Sequence, residues 1–320
     1  MEVLVIGGTK FVGRALTNAL IAKGHRVTHF NRGQSGAGVF PDVETVHGDR
    51  RTDLGRLPDR TWDAVVDTCG YRASDLEAST NHLKDRVGRY LYISTISVYS
   101  DDNPALVSET DKLMDPVFED AEITGETYGP MKVATEVVVE RVLGSQATIV
   151  RPGVIVGPHD HTWRFTYWPH RFRQGGDVLV ADIPDKLVTS IDVRDLADFQ
   201  VKLLEDGTTG TYNADNGGLT YGQLIEAASA DTTGTPVPVT HEFLDKHEVK
   251  DWTDLPIVLR KKFPLAKTEA AQAAGLSIRP LAETVRDLMA WVDTTEVPEN
   301  RPGLTLDREK ELLAAWRAQV

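Results

Sequence analysis

The sequence contains only one cysteine, Cys69, among 320 residues. An internal disulfide framework and a metal cluster held by cysteines alone are therefore excluded. Apolar runs of about 18 residues, the length that spans a bilayer, are also lacking. Positive charge is the scarcer sign, with 35 Lys and Arg against 48 Asp and Glu and a net charge of −13. Such a surface repels phosphates, so neither nucleic acid nor a membrane is an expected partner.

Apolar residues are plentiful enough for a packed core, at 41% of the chain. The first eight residues, MEVLVIGG, already have the pattern of a core strand. They leave no room for the basic and apolar regions of a signal peptide, so we expect a cytoplasmic protein. A length of 320 residues fits one α/β domain with an appended lobe.

Short apolar strands alternate with helical patterns over the first two thirds of the chain. This alternation predicts a parallel sheet with helices on both faces, because parallel strands need crossover connections. The predicted strands are 2–6, 26–30, 44–47, 64–67, 89–94 and 148–151. The predicted helices are 12–23, 73–87, 129–143, 194–205, 220–231, 267–292 and 306–318. The prediction is an α/β fold, a Rossmann-type doubly wound parallel sheet with a smaller C-terminal α/β substrate lobe. Residues 1–155 and 189–215 are assigned to an NADP-binding domain, and residues 156–188 and 216–320 to the substrate-binding lobe.

A glycine-rich turn joins the first strand to the first helix. Gly7 and Gly8 follow the apolar strand directly, and Gly13 lies in the first helical turn. A tight turn of this kind presents backbone N–H groups and a helix N-terminus to a pyrophosphate. The pattern therefore predicts a dinucleotide site at the start of the chain.

The end of the second strand indicates which dinucleotide is bound. NAD-binding proteins usually carry an acid there for the ribose hydroxyls, whereas this chain has Asn31 and Arg32. Because an acid repels a 2′-phosphate and Arg binds one, we predict NADP(H) over NAD(H), with NAD(H) still possible. Asp49, after the third strand, is a candidate acceptor for the adenine amino group.

Three polar residues are expected to meet near the nicotinamide. Tyr128 and Lys132 are four residues apart at the start of a predicted helix, which places both on one face. Thr95 follows the fifth strand, whose carboxyl end faces the ligand crevice. An ammonium lowers the pKa of a nearby phenol, so Tyr128 can move a proton, while Thr95 can bind the reacting oxygen.

These motifs together resemble the extended short-chain dehydrogenase/reductases of the NAD(P)-dependent epimerase/dehydratase superfamily. The resemblance covers nearly the whole chain and includes the runs at 151–158 and 191–195. It implies catalysis by Thr95, Tyr128 and Lys132, and the possibility of a homodimer. The cofactor contacts expected from the turn, the strand ends and the resemblance are Gly7, Gly8, Thr9, Lys10, Phe11, Val12, Gly13, Asn31, Arg32, Asp49, Arg50, Thr68, Cys69, Tyr128, Lys132, Pro152 and Val154.

The chain departs from that family at four positions. Lys10 replaces the middle glycine of the turn, a variant similar to an atypical branch with bacterial reductase-like and plant chloroplast stem-loop-binding proteins. Val154 and Val188 stand where nucleotide-sugar epimerases carry phosphate-directed Asn and Arg, which argues against a nucleotide-sugar substrate. Cys69 falls near the cofactor and is expected to be a packing residue rather than a nucleophile.

Residues 157–176 form an aromatic and basic segment that is interpreted either as a packed loop or as a substrate wall. A zinc site is not expected there, since neither the spacing nor acidic partners fit. Residues 101–127 are long and acidic enough to form a lid. The candidate substrate residues are Tyr71, Ser97, His159, Trp163, Arg164 and Tyr167.

Three functions remain open from the sequence. The first is an NADP(H)-dependent oxidoreductase that reduces a carbonyl or enone of a small non-nucleotide metabolite, with Tyr128 as proton donor. The second is an epimerase or dehydratase that acts on a sugar-type substrate with tightly bound NAD(P). The third is an NADP-sensing or RNA-binding protein without turnover, which an intact Tyr–Lys pair disfavours.

Overall fold

The computed structural model describes residues 1–36, 38–258 and 263–319, which form two compact units. The first unit comprises Met1–Gly153, Val193–Asp215 and Pro264–Ser277, and the second comprises Val154–Asp192, Asn216–Phe263 and Ile278–Val320. None of the helices in the described ranges is long and apolar enough to cross a membrane.

The elements are numbered in chain order. The strands are β1 Glu2–Ile6, β2 Arg26–Asn31, β3 Glu44–His47, β4 Trp62–Asp67, β5 Val87–Ile93, β6 Leu106–Val107, β7 Ala147–Pro152, β8 Ile155–Val156, β9 Gly176–Ala181, β10 Ile191–Asp192, β11 Gly210–Ala214, β12 Gly234–Val239 and β13 Leu265–Ala266. The helices are α1 Phe11–Ala22, α2 Ala73–Leu83, α3 Tyr128–Leu143, α4 Tyr167–Arg173, α5 Val193–Asp206, α6 Tyr221–Ser229, α7 His241–Lys246, α8 Glu269–Ala273, α9 Leu281–Val292 and α10 Leu306–Arg317.

A parallel seven-stranded sheet forms the centre of the first unit, in the order β11-β7-β5-β4-β1-β2-β3. The interior residues of β1 and β4 are almost wholly buried, as expected for strands covered on both faces by helices. This sheet confirms the predicted Rossmann-type α/β fold.

The topology of the sheet positions the candidate site. β1 pairs with β2 on one side, Ile6 lying opposite Phe30, and with β4 on the other, Ile6 lying opposite Asp67. The chain runs outward through β2 and β3 and then returns to the far side of β1. In such sheets the ligand crevice lies beyond the carboxyl ends of the strands at this reversal.

The second unit has its own apolar core. β9 and β12 pair in parallel, and β8 pairs with β10. Trp168 and Phe172 of α4 are fully buried together with Leu224 of α6 and Leu312 of α10. The segment that contains α4 was expected to be irregular, but apolar residues four apart place one face of this short helix in the core.

The region predicted as one helix over 267–292 differs from the structure. It is divided into α8 and α9, because Gly275 adopts a φ of +98° and Pro280 precedes the first turn of α9. Residues 264–277 lie in the first unit and not in the C-terminal lobe that the sequence predicts for them, and β13 within this stretch pairs with β6.

Candidate functional site

The turn after β1 is packed too closely for side chains. Gly8 has a φ of +93°, and a Cβ there would lie 2.5 Å from the ring of His29. A Cβ on Gly13 would lie 2.6 Å from the backbone nitrogen of Gly8. The turn and the first turn of α1 therefore touch backbone to backbone, which is the arrangement that lets phosphate oxygens approach main-chain N–H groups.

Thr17 and His29 pack against this turn on the protein side. The sequence analysis named neither residue as a candidate. The Thr17 hydroxyl donates to the carbonyl oxygen of Gly13 over 2.7 Å and lies 2.9 Å from Nε2 of His29. Because a hydroxyl has one hydrogen, His29 Nε2 is assigned as the donor in the second contact. Burial lowers the pKa of His29 to about 4, so the ring is neutral at neutral pH.

Asn31, the last residue of β2, and Arg32, which follows it, have distinct roles. The Asn31 amide nitrogen donates to the carbonyl oxygen of Gly7 over 3.1 Å, and its oxygen accepts from the backbone of Gly33 over 2.9 Å. Asn31 therefore fixes the turn from the side. Arg32 has an exposed side chain. The Thr9 hydroxyl lies 3.4 Å from that of Ser35, so the loop after Arg32 folds back toward the turn.

A buried ion pair lies at the end of β4. Arg50 contacts both carboxylate oxygens of Asp67 and also donates to the Ser79 hydroxyl, while the Tyr90 hydroxyl donates to Asp67 over 2.7 Å. Burial alone would raise the pKa of Asp67, but the Arg50 charge holds it below its usual value. Arg50 was expected to contact the cofactor, but its positive charge is paired with the buried Asp67 carboxylate.

Thr68 and Cys69 follow β4 and close the crevice beside Gly7. The Thr68 hydroxyl donates to the carbonyl oxygen of Ile6 over 2.9 Å, and a Cβ on Gly7 would lie 2.4 Å from that hydroxyl. Burial raises the pKa of the Cys69 thiol to about 11, so it stays protonated and is a poor nucleophile. Asp49 is half-buried, and its carboxylate accepts from the backbone of Arg51 over 2.9 Å.

Thr95 and Ser97 are hydrogen-bonded to each other after the carboxyl end of β5, and the start of α3, which carries Tyr128, packs against them. The Thr95 hydroxyl accepts from the Ser97 backbone and donates to the Ser97 hydroxyl, both over 3.2 Å. A Cβ on Gly129 would lie 2.3 Å from the carbonyl oxygen of Ser97, so the start of α3 rests directly on this segment. Tyr128 is the first residue of α3 and is half-buried.

Lys132 lies one helical turn further on and is fully engaged with the protein. Its ammonium donates to the carbonyl oxygens of Gly70 and Ile93, over 2.9 and 2.8 Å, and to the Tyr92 hydroxyl. Burial lowers the pKa of Lys132 to about 7, and the nearby carboxylates of Asp67 and Glu136 only partly oppose this. Tyr128 and Lys132 both lie on α3, four residues apart, whereas the sequence gave no sign of the contact with Tyr92.

A second buried ion pair anchors α3 to the sheet. Glu136 of α3 pairs with Arg151 of β7 over 2.7 and 3.0 Å, and both side chains are almost wholly buried. Arg151 also donates to the Tyr99 hydroxyl over 2.9 Å, and that hydroxyl donates to Asn213 of β11 over 2.7 Å. This network fixes the helix that carries Tyr128 and Lys132.

The other expected cofactor residues lie at element boundaries. Lys10 is exposed and precedes α1, whereas Phe11 is buried at the start of α1 with a φ of +29° and Val12 is half-buried. Pro152 is buried at the end of β7, and Val154 begins the second unit, where it is half-buried against the core.

The candidate substrate residues of the second unit are mostly packed. Trp163 and Tyr167 are 2% and 3% exposed, so they are core residues and not an open substrate wall. The Arg164 guanidinium lies 4.9 Å from the centre of the Trp252 ring. The His159 ring lies 5.5 Å from that of Trp291. The packed-loop interpretation therefore describes this segment better.

Residues 101–127, the candidate lid, are tied to the first unit at several points. Arg51 pairs with Asp120 over 3.1 Å, and the Ser74 hydroxyl donates to the same carboxylate over 2.8 Å. β6, within the segment, pairs with β13. Tyr71, the substrate candidate of the first unit, is 44% exposed, with its ring centre 5.7 Å from the Lys132 nitrogen.

Comparison with known proteins identifies the family. A reductase of 2-alkyl-3-oxoalkanoates from Stenotrophomonas maltophilia is 29% identical over 227 residues, 62% of this chain and 64% of that protein. The chloroplast stem-loop binding protein of 41 kDa b from Arabidopsis thaliana is 27% identical over 212 residues, 61% of this chain and 53% of that protein. The chain thus spans about half to two thirds of the length of these relatives.

A solved structure supports the same assignment at the level of the fold. The UDP-N-acetylglucosamine 4-epimerase from Bacillus cereus superposes with a TM-score of 0.69 at 16% identity, covering 94% of this chain and 99% of that one. The model of the NAD dependent epimerase/dehydratase family matches residues 3–215, which include the glycine turn, Thr95, Tyr128 and Lys132. The chain belongs to the NAD dependent epimerase/dehydratase family.

Proposed function

We propose that the protein is an NADP(H)-dependent oxidoreductase that reduces a carbonyl or conjugated enone of a small non-nucleotide metabolite. The observation that carries the proposal is the close packing of Gly129 against the Ser97 backbone, which brings the start of α3, and with it Tyr128, to the carboxyl end of β5 that Thr95 follows. A proton donor and a hydroxyl for the reacting oxygen thus share one edge of a sheet whose reversal point carries the glycine turn. We assign cofactor binding to the first unit and a substrate-binding role to the second.

The residues around the turn fit a nicotinamide dinucleotide. A Cβ on Gly8 would meet the His29 ring, and one on Gly13 would meet the Gly8 backbone, so only glycines keep the turn close to the N-terminus of α1, as pyrophosphate binding requires. The side chain after β2 is the exposed Arg32 and not an acid, which favours a 2′-phosphate and hence NADP(H). Asn31 holds the turn in shape rather than binding ribose in this arrangement.

The chain's own residues then supply the proton chemistry. NADPH, when bound, provides the hydride for the substrate carbon. Tyr128 gives its phenolic proton to the substrate oxygen, and the Thr95 hydroxyl, whose partner is Ser97, turns to the same oxygen as charge develops on it. We assign to Lys132, one turn further along α3, the role of biasing the ionisation of Tyr128.

Two apolar residues support a substrate without a diphosphate. Val188 is buried in the core of the second unit, and Val154 packs against that core. Neither position offers a hydrogen bond or a positive charge to a phosphate. The relative that reduces 2-alkyl-3-oxoalkanoates makes β-oxo acids the first carbonyl compounds to try. The net charge of −13 disfavours RNA as a partner.

The test is NADPH oxidation, followed by absorbance, with a panel of ketones, enones and 2-alkyl-3-oxoalkanoates. We expect lasting net oxidation with at least one class of compound. Tyr128→Phe should lower kcat by about 100-fold or more, because the proton donor is removed. Tyr212→Phe, which removes a hydroxyl bonded to Thr209 away from this site, should leave kcat unchanged.

Two results would contradict the proposal. Unchanged turnover in Tyr128→Phe would remove the proton-transfer role of this residue. Conversion of a nucleotide sugar without lasting change in NADPH would assign the protein to epimerisation instead.

A further inference from the structure

Tyr92 is a buried residue of β5 with no role in the chemistry described so far. Its hydroxyl accepts a hydrogen bond from the Lys132 ammonium and lies 2.8 Å from the Gly70 carbonyl oxygen and 2.7 Å from the Thr135 hydroxyl. The Lys132 nitrogen is also 4.2 Å from the centre of the Tyr92 ring. Tyr92 therefore touches Lys132 with both its hydroxyl and its ring.

The hydrogen bonds around Lys132 distinguish Tyr92 from the other two partners. An ammonium has three N–H donors, and these reach the Gly70 and Ile93 carbonyl oxygens and the Tyr92 hydroxyl. A neutral amine has two N–H donors and one lone pair. Carbonyl oxygens only accept, whereas a phenol hydroxyl both accepts and donates. All three partners can accept from either form, but among them only Tyr92 can also donate to the lone pair of the neutral amine.

The Thr135 hydroxyl gives the Tyr92 hydroxyl hydrogen a second acceptor, which it uses when Lys132 is charged. It donates to the backbone carbonyl oxygen of Lys132 over 2.6 Å, so its lone pairs are open to the Tyr92 hydrogen. With Lys132 charged, the Tyr92 hydrogen points to Thr135 or Gly70. With Lys132 neutral, the same hydrogen turns to the amine lone pair, and no buried group is left unpaired.

We propose that Tyr92 is a positioning residue for Lys132, holding it in one place in both protonation states and stabilising the charged state through its hydroxyl. The consequence for catalysis rests on the proposed function, because it assumes that Lys132 acts on Tyr128. The hydrogen-bond argument itself does not depend on the reaction.

Both forms of Lys132 are relevant near neutral pH. Burial lowers the pKa of Lys132, Asp67 and Glu136 partly oppose this, Arg50 adds to it, and the resulting pKa is about 7. The Cys69 thiol, whose pKa is raised by burial, stays neutral at this pH. The rings of Tyr71 and Tyr92 also face the Lys132 nitrogen, and burial raises the pKa of each, so both stay neutral. In such a site, a partner that accepts from the ammonium and donates to the neutral amine keeps the Lys132 nitrogen fully hydrogen-bonded in both protonation states.

The experiment is a pH titration of the lysine side-chain carbon signals by NMR in protein labelled with ¹³C-lysine, without cofactor. Lys132→Met identifies the Lys132 signal by its loss. Tyr92→Phe keeps the ring and removes the hydroxyl, so the ammonium loses one acceptor. We expect the titration midpoint of Lys132 to fall by about one pH unit or more. Thr135→Val, which removes one partner of the Tyr92 hydroxyl, should shift it less and in the same direction.

Tyr99→Phe is the matched control, because it removes a buried hydroxyl that bonds to Arg151 and Asn213 and not to Lys132. Its Lys132 midpoint should equal that of the unmodified protein. An unchanged midpoint in both Tyr92→Phe and Thr135→Val would overturn the proposal.

The dependence of NADPH affinity on pH, measured on the same variants, separates this inference from the proposed function. If Lys132 contributes to cofactor binding, the pH at which affinity changes should follow the NMR midpoint in each variant. A midpoint that moves while NADPH fails to bind would support the role of Tyr92 and contradict the proposed function.

Discussion

The glycine turn and the first turn of α1 are so close together that a side chain at Gly13 would not fit. Gly13 lies inside the first turn of α1, and a Cβ there would meet the nitrogen and Cα of Gly8 at 2.6 and 2.8 Å. Those atoms are backbone and cannot move aside as a side-chain end would. A methyl group at Gly13 must therefore push the helix away from the turn.

We predict that Gly13→Ala weakens NADPH binding at least about tenfold and destabilises the protein by about 1–3 kcal/mol, the usual cost of an overpacked site. Gly55→Ala is the control, since nothing lies within 4 Å of a Cβ at that position. Cofactor titration and urea denaturation measure the two effects. Equal affinity in both variants would mean that the turn does not bind the cofactor.

The neutral His29 ring makes stability depend on pH. The pKa of His29 falls from 6.5 in the unfolded chain to about 4 in the folded protein because the ring is buried. Between these values the unfolded chain takes up a proton that the folded protein does not. The free energy of unfolding therefore decreases as the pH falls from about 6.5 to about 4.

We predict that His29→Gln, which keeps an N–H donor near Thr17, loses less stability over this range than the unmodified protein. The difference should approach about 3 kcal/mol at pH 4. Urea denaturation at several pH values measures it, with His161→Gln at an exposed position as control. The same pH dependence in His29→Gln and the unmodified protein would show that His29 is not the group responsible.

At the scale of elements, α3 is the part of the fold that carries the proposed catalytic side chains. Gly129 allows its first turn to rest on the Ser97 backbone, and Glu136 joins its middle to Arg151 of β7. Both partners of that ion pair are buried, so each depends on the other for its charge.

Glu136→Ala should therefore destabilise the protein by about 3–5 kcal/mol, because it leaves the Arg151 charge buried without a partner. Glu77→Ala removes the exposed ion pair between α2 and Arg141 at the other end of α3, and should cost about 1 kcal/mol or less. Urea denaturation of the two variants compares them directly. Equal losses would indicate that the buried pair does not anchor α3.

The sequence predicted best those helices and strands whose apolar residues are regularly spaced or whose ends carry typical residues such as glycine. The strand of MEVLVIGG and the helix from Tyr128 to Leu143 appear as predicted to within about two residues. β11 and α4 were missed, since each is short and its apolar residues contact a partner far away in the sequence. Gly275 and Pro280, between α8 and α9, were the signal that divides the predicted long helix.

At the scale of the whole molecule, the sheet and the family could be predicted, but the partners of the site residues could not. The turn, Thr95, Tyr128 and Lys132 follow from local patterns. The contacts of Lys132 with Tyr92, of Thr17 with His29 and of Arg50 with Asp67 join residues 40, 12 and 17 positions apart. Such contacts depend on strand order, which a single sequence does not specify residue by residue.

The central claim is that the first unit binds NADP(H) through the glycine turn and Arg32. The most direct test is a fluorescence titration of the purified protein with NADPH and, separately, with NADH. It is repeated for Arg32→Ala and for the control Arg26→Ala, which changes an exposed arginine at the opposite end of β2. The account predicts tighter binding of NADPH than of NADH, lost in Arg32→Ala and kept in Arg26→Ala. Equal binding of the two cofactors, or an NADPH preference that survives in Arg32→Ala, would contradict it.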